Sequence, residues 1–248
     1  MAKAPDRILA IDIGATMIKF APIDGCGVLT GEVQKIPTPY PCAPTRLIEV
    51  VTCVIREGDW TSIGVGFPGE FVDGIVLEPG NLARPSGISS PTDPALEAAW
   101  RGFRLEEELR AVSGRDVRVV NDATLAALGC HEGVGRELVF TLGTGFGIAL
   151  VVDGGPQRIR DVGGEVFVEG RTFDQVLGEG SRAADQHTWT QRLVLATKVF
   201  THEYYTKIVH FGGGNARHVD VAYFVGLDCR VTVNDNDASL RGAARLFA

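Results

Sequence analysis

Apolar runs of strand length, separated by glycine-bearing turns, dominate the start of the chain. Residues 7–13 (Arg-Ile-Leu-Ala-Ile-Asp-Ile) read as a nearly continuous apolar strand and Met17 to Ile23 as a second. Gly14-Ala15-Thr16 between them is a hairpin turn, and a third strand around 28–36 completes a meander. Pro37, Pro39, Pro41 and Pro44 then break the pattern. From Thr45 to Glu57 the apolar residues Leu47, Val50, Val51, Val54 and Ile55 recur in steps of three and four, which predicts an amphipathic helix. Ser62 to Phe67 is a buried strand, followed by a Gly/Pro-rich passage through about residue 94 and a helix over 103–113 closed by Gly114.

A second series follows. Val117 to Val120 reads as a strand, Asp122 to Cys130 as a helix, and 137–142 and 146–152 as strands joined by Gly143-Thr144-Gly145. After a less regular stretch, 155–180, come a long helix over 181–206, strands at 207–211 and 229–233, and a closing helix from Ala238 to Phe247. The same order of elements occurs twice with no linker-like tract between, predicting two α/β lobes with mixed sheets and a shared cleft. The expected boundaries are 1–115 for the first lobe and 116–237 for the second, with the closing helix 238–248 packing back on the first.

Composition narrows the class. Of 248 residues, 45% are hydrophobic and 22% charged, ordinary values for a globular chain. No apolar run reaches the ~18 residues of a membrane span. The stretch Ile8-Leu9-Ala10-Ile11 is too short for a signal-peptide core, so a soluble cytoplasmic protein is expected, with no membrane partner. A net charge of −7 and scattered Lys and Arg disfavour a nucleic-acid partner. Cys26, Cys42, Cys53, Cys130 and Cys229 lack zinc-ligand spacing, so no zinc is expected. Glycine is in excess: 31 residues, where a usual share of about 7% would give fewer than twenty. These glycines sit in short motifs, as expected where backbone meets a ligand.

Four motifs carry candidate chemistry. In Ile11-Asp12-Ile13-Gly14-Ala15-Thr16-Met17-Ile18-Lys19, turn amides and the Thr16 hydroxyl suit phosphate oxygens, and Asp12 could hold magnesium through water. Gly143-Thr144-Gly145 repeats that logic some 130 residues later. In Asn121-Asp122-Ala123 a strand ends and a helix begins. Asp122 there either caps the helix or acts as a general base toward a substrate hydroxyl that Asn121 orients. Finally, His210-Phe211-Gly212-Gly213-Gly214-Asn215 runs a strand into bare backbone, suited to a flat base or phosphate or to a mere tight turn. The five dispersed histidines read as ordinary surface or lightly buried residues, Trp100 and Trp189 as packing residues, and Glu106-Glu107-Glu108 as a solvated helix face.

These motifs, with Gly64-Val65-Gly66-Phe67-Pro68-Gly69, occur in an order that resembles the sugar-kinase superfamily sharing the actin and hexokinase fold. Within it the sequence is most similar to the ROK family, near its polyphosphate/ATP glucokinase branch. The resemblance implies two ribonuclease-H-like lobes with the sugar and phosphoryl donor meeting in the cleft between them. It assigns Asp122 as catalytic base and Asn81, Asn121, Asp161 and Gly69 to the sugar. Asp12, Gly14, Thr16 and Lys19 would form the first phosphate turn, Gly143, Thr144 and Gly145 the second, and Gly212, Gly213, Gly214 and Asn215 the nucleoside side. It also suggests a homodimer, and with no helix-turn-helix before residue 8 a kinase is expected rather than a repressor.

The sequence departs from that pattern at three places, one being the cysteine-rich zinc loop of many ROK members, which is missing here as in the shorter glucokinase branch. Ala15 replaces the usual second glycine of the first turn. In Arg160-Asp161-Val162-Gly163-Gly164-Glu165, Asp161 stands for the family's glutamate and Gly164 for its histidine, both sugar-contacting groups. A site that binds a hydroxyl discriminates through such groups, so the change bears on sugar identity and on turnover. The expected activity is magnesium-assisted phosphoryl transfer from ATP or polyphosphate to a hexose, glucose foremost. The alternatives are a kinase of another small molecule, such as an N-acyl amino sugar, and a non-catalytic sugar- or nucleotide-binding relative.

Overall fold

Every residue of the first strand, β1 (Ile8–Ile13), is buried, because alternate side chains serve two different apolar layers. The computed structural model describes residues 7–88 and 90–248, which divide into two units. One comprises the described residues up to Leu125 together with Leu240–Ala248; the other is Ala126–Ser239.

In the first unit β1 and β2 (Met17–Ile23) form an antiparallel hairpin flanked by β3 (Gln34–Pro37). Helix α1 (Pro44–Ile55) leads to β4 (Ser62–Phe67), which pairs with β1 in parallel. A small hairpin, β5 (Glu70–Val72) and β6 (Ile75–Glu78), precedes β7 (Pro85–Ile88), α2 (Pro94–Trp100) and α3 (Leu105–Ser113). Strand β8 (Asp116–Asn121) then joins β4 in parallel, giving the sheet order β3-β2-β1-β4-β8, and α4 (Asp122–Cys130) begins at the next residue.

Period-two alternation decides which layer each side chain enters. Leu9, Ile11 and Ile13 of β1 and Ile63, Val65 and Phe67 of β4 cluster with Leu47 and Val51 of α1 and Leu105 and Leu109 of α3. Ile8 and Ala10 cluster instead with Leu125, Leu240, Ala243 and Ala244. On that second face β4 presents only small residues. A Cβ at Gly64 would lie 2.7 Å from the Cβ of Ala243, and one at Gly66 would lie 2.8 Å from Cδ2 of Leu125. The glycines let α4 and the C-terminal segment seat directly on the sheet.

The second unit repeats the plan. Strands β9 (Arg136–Leu142), β10 (Phe146–Val152) and β11 (Gly155–Gln157) form an antiparallel meander. A short hairpin, β12 (Val166–Val168) with β13 (Arg171–Thr172), opens into α5 (Phe173–Leu177), α6 (Glu179–Ala184) and α7 (Gln186–Glu203). Strands β14 (Ile208–Gly212) and β15 (Arg230–Val233) complete the sheet order β11-β10-β9-β14-β15, with β9, β14 and β15 parallel. Helix α8 (Ala238–Gly242) follows. Phe140, Phe146, Phe173, Phe200 and Phe211 form a contiguous ring cluster in its core. Among the described residues no helix is long and apolar enough to cross a membrane.

Several expectations need correction. Residues 116–125 do not open the second lobe: β8 completes the first sheet beside β4, so Asp122 belongs to the first unit. The expected helix over 181–206 is two, because Asp185 takes an extended conformation and its carboxylate accepts the N–H groups of His187 and Thr188, capping α7. Helix α2 was hidden in the Gly/Pro-rich passage, although Asp93 followed by Pro94 at the first helical position signals a start. The closing helix stops at Gly242 and continues as a 3-10 turn over Ala243–Leu246. Glu106 is no solvated residue, since its carboxylate accepts the Val119 N–H of edge strand β8 at 2.9 Å. Trp100 and Trp189 are fully buried, each indole donating to a carbonyl (Cys42 and Leu177, both 2.7 Å).

His210 is also deeper than its spacing suggested. It is buried beside the fully buried Glu137, with Nε2 2.7 Å from Oε2 and Nδ1 2.7 Å from the Thr232 hydroxyl. Glu137 additionally accepts the backbone N–H groups of Glu132, Gly133 and Val134. Burial pushes the Glu137 carboxyl up, but these donors and His210 outweigh it and hold the group below its usual range.

Two predictions follow from this packing. Gly64→Ala should lower the free energy of urea unfolding by about 1–3 kcal/mol through overpacking against Ala243. Gly180→Ala, where a Cβ meets nothing within 4 Å, should cost nothing measurable. Glu137, with a lowered folded pKa, contributes stability above its unfolded value of about 4.3, and that contribution is lost as pH falls through the folded value. Glu137→Gln should therefore cost about 3 kcal/mol at pH 7 and flatten the fall in unfolding free energy between about pH 5 and 3.

Candidate functional site

Parallel strands end on the same edge of a sheet, and in open α/β sheets that edge is where ligands bind. In the first unit β1, β4 and β8 bring Asp12, Gly69, Asn121 and Asp122 to their carboxyl ends, with Asp12 in register with Gly66 and Phe67 in register with Asn121. Asp12 also faces Lys19 across the hairpin, and the two form an ion pair at 2.9 Å with side chains only 12% and 15% exposed. Magnesium is held by one or two carboxylates together with phosphates and water. A single, lysine-paired Asp12 fits that mode, and among the described residues no cluster of three or more His, Cys, Asp or Glu offers a self-contained metal cage.

The first turn is held from one side. Thr38 Oγ1 donates to Gly14 O at 2.7 Å, the Tyr40 hydroxyl to Ala15 O at 2.7 Å, and the Thr38 amide to Thr16 O at 3.0 Å. In a trans peptide the C=O and N–H point opposite ways, so the Ala15 and Thr16 amides are turned away from Thr38 and Tyr40, as a phosphate-receiving turn requires. Ala15 keeps φ out of the left-handed region, so the loss of glycine there brings no strain. Burial, reinforced by Cys42, pushes the Tyr40 hydroxyl up to about 12, so it stays protonated and able to donate.

At the start of α4, Asn121 provides the cap: its Oδ1 accepts the N–H groups of Ala123 at 2.9 Å and Thr124 at 3.2 Å. Its amide donates to Gly69 O at 2.8 Å. That frame engages the side chain expected to orient a sugar, and the Asp122 carboxylate also accepts the Ala123 N–H, at 2.8 Å. Gly69 has φ +127°, and a Cβ there would sit 2.2 Å from Glu78 O, so only glycine brings this loop against the residues before Asn81. Asn81 lies in a 3-10 turn (Gly80–Ala83) whose carbonyl at 81 is 3.4 Å from the same Tyr40 hydroxyl.

In the second unit, Gly143-Thr144-Gly145 joins β9 to β10 at the carboxyl edge, closed by Gly143 N–H to Gly145 O at 3.1 Å. Gly213 packs directly on Leu142: φ is +84°, and a Cβ would lie 2.6 Å from Leu142 O. Asn215 binds the same stretch twice, its backbone N–H to Leu142 O at 2.8 Å and its side-chain amide to Gly143 O at 3.0 Å. The glycine run Gly212–Gly214 leads into a 3-10 turn (Ala216–His218) rather than an α-helix. Asp161 and Gly164 are exposed, and Asp161 accepts the Gly163 N–H at 2.9 Å.

Sequence reading missed four supporting residues: Thr38, Tyr40, Asp174 and Arg182. Asp174 Oδ1 accepts the Phe146 N–H at 2.7 Å, and Arg182, paired with Glu179, donates to Asn215 Oδ1 at 3.2 Å. Arg182 holds the Glu179 carboxyl below its usual range. None belongs to a glycine motif, and apart from the local Arg182–Glu179 pair their partners lie far along the chain; the one signal is Thr38 and Tyr40 inside a proline-rich stretch that no periodicity explains.

Comparison with known proteins agrees with this geometry. The ROK family model matches residues 8–166. The chain is 31% identical over 159 residues to an N-acetylmannosamine kinase of Vibrio vulnificus (strain CMCP6), covering 59% of this chain and 48% of that protein. It is 27% identical over 160 residues to a glucokinase of Halalkalibacterium halodurans, covering 59% and 44%. The matched region thus spans about half the length of these curated relatives. An inorganic polyphosphate/ATP-glucomannokinase from Arthrobacter sp. strain KM superposes with a TM-score of 0.78 at 26% identity, covering 97% of this chain and 98% of that one. With a family match running from β1 past β11 and a shared architecture over nearly its whole length, this chain belongs to the ROK family and has the actin-like ATPase fold of its sugar kinases.

Proposed function

We propose that the protein is a sugar kinase that moves a terminal phosphoryl group from ATP or polyphosphate to a hexose hydroxyl, with glucose the first acceptor to test. The observation that carries this reading is the division of labour at the start of α4. Asn121 caps the helix, and the Asp122 carboxylate stands beside that cap at the carboxyl end of β8, which runs parallel to β4. The named activities of the relatives support the same class.

In the proposed reaction Asp122 accepts the proton of the acceptor hydroxyl as its oxygen bonds to phosphorus. The bond from phosphorus to the bridging oxygen breaks, and ADP or a shortened polyphosphate leaves. Such transfer asks little covalent chemistry of the protein, so positioning and charge stabilisation supply most of the rate. The amides of the Gly14–Thr16 and Gly143–Gly145 turns would receive phosphate oxygens, and Lys19, oriented by Asp12, would add a fixed positive charge. Magnesium held by Asp12 would neutralise phosphate charge. Asn81 is the acceptor-side amide best placed for a sugar, because the Asn121 side chain is already bonded to Gly69 and to the helix.

A second acceptor class, the N-acyl amino sugars, is favoured by one observation. A Cβ at Gly164 meets nothing within 4 Å, so the position where the family places a histidine is open. The kinship to an N-acetylmannosamine kinase points the same way.

Hexoses and N-acyl hexosamines, each tried with ATP and with polyphosphate, should give sugar-dependent product with at least one pair; product with none sinks the kinase reading in favour of a binding protein. Asp122→Asn should reduce kcat by at least about 10²-fold, the lower end of general-base contributions, while the fold is kept because Asn121 still caps α4 and an asparagine at 122 still offers an acceptor oxygen. Near-normal turnover would remove Asp122 from the reaction. Tyr40→Phe leaves the Ala15 carbonyl without its hydroxyl donor and should cost about 1–2 kcal/mol of stability while raising the donor KM.

A further inference from the structure

We infer that Asp174 is a positioning residue for phosphoryl transfer, which holds the donor-side turn Gly143–Gly145 and the acceptor-side segment Asp161–Gly164 in fixed register. The inference rests on the kinase reading, because only that reading gives the two segments their roles.

Asp174 joins two separate stretches of chain to its own helix. Its Oδ1 accepts the Phe146 N–H at 2.7 Å, at the first residue after the turn. Its own N–H donates to Gly163 O at 2.9 Å, and its carbonyl accepts the Gly178 N–H at 3.0 Å. The fit around the carboxylate leaves no room: a Cβ at Gly145 would lie 2.4 Å from Oδ1 and one at Gly163 would lie 2.8 Å from it. Asp174 thus explains why both flanking segments carry glycine at those positions, one in a phosphate turn and the other where the sugar-side pattern is altered.

The short helix α5 brackets the turn from both ends. At its front, Asp174 grips Gly145 and Phe146. At its rear, the Glu179 N–H donates to Gly143 O at 2.9 Å, and a Cβ at Gly178 would lie 2.3 Å from Thr144 O. The helix is anchored by the stacked Phe167, Phe173 and Phe146 rings and by a reciprocal cap between Thr172 and Gln175. Close-packed contacts of this kind do not deform gradually, so a displacement of Gly163 moves Asp174, and Asp174 moves the turn. Acceptor occupancy at 161–164 is thereby tied to the geometry of the donor turn within one unit.

The test compares wild type, Asp174→Ala and Asp174→Asn by amide hydrogen exchange without ligand and by steady-state kinetics. In Asp174→Ala, exchange at Phe146 should accelerate by about tenfold or more through the loss of its hydrogen bond, and exchange across 161–164 should accelerate with it through the lost packing of the carboxylate against Gly163, while β14 stays protected. kcat/KM should fall by about tenfold for donor and for sugar alike, and Asp174→Asn, which keeps an acceptor oxygen, should recover most of both. Unchanged exchange in either segment overturns the inference, as does kcat/KM within twofold of wild type. If Asp174→Ala does not fold, Gly163→Ala takes its place with the same expected and overturning results, since it displaces the carboxylate without removing it. Should the wild type phosphorylate no sugar, the kinase reading fails, and the exchange data alone decide whether Asp174 links the two segments.

Discussion

A Cβ on Gly66 would lie 2.8 Å from Leu125 and 3.4 Å from the Cα of Asp122, so β4 meets the first turn of α4 backbone to side-chain root, with no spacer between them. The carboxylate at 122 owes its place to that contact. The same constraint recurs at Gly69 against Glu78, at Gly145 and Gly163 against Asp174, at Gly178 against Thr144 and at Gly213 against Leu142. Each of these sits where a strand runs out at the carboxyl edge of its sheet or where a loop closes on that edge. At these positions bare backbone permits approach distances that any side chain would lengthen, and close approach fixes position more sharply than a flexible side chain can.

Charge is arranged with the same economy. Asp12 and Lys19 are mostly buried and satisfy one another as cross-strand partners, which keeps a cation beside the first turn without an unpaired desolvated charge. Glu137 and His210 form the other buried pair, but Glu137 lies at the start of β9, six residues before the turn at Gly143, and its remaining bonds close the local loop at 132–134. One pair stands at the carboxyl end of β1; the other ties the far end of a strand.

The turn at Gly143–Gly145 and the segment at 161–164 are held to different degrees. Gly143–Gly145 is bonded or packed on several sides, by Asn215, Glu179, Asp174 and Gly178. Asp161 and Gly164 are exposed, and a side chain added at 164 would meet open space. A tightly determined turn and a lightly determined loop let the loop vary without rebuilding the turn, in a family whose relatives carry the names of kinases for different sugars.

Much of this was legible along the chain. Continuous apolar runs at 8–13 and 62–67 identified strands buried on both faces, and the turns at Gly14–Thr16 and Gly143–Gly145 announced themselves by composition and repetition. Local signals of that kind act within a few residues, so sequence alone determines them. Which sheet β8 joins, that Asn121 rather than Asp122 caps α4, and that Tyr40 and Asp174 clasp the turns were decided by tertiary structure. The clasps of Tyr40 and Asp174 reach backbone groups 25 or more residues away, and every residue carries such groups. Nothing in the one-dimensional pattern distinguishes the partner until the chain has closed around it.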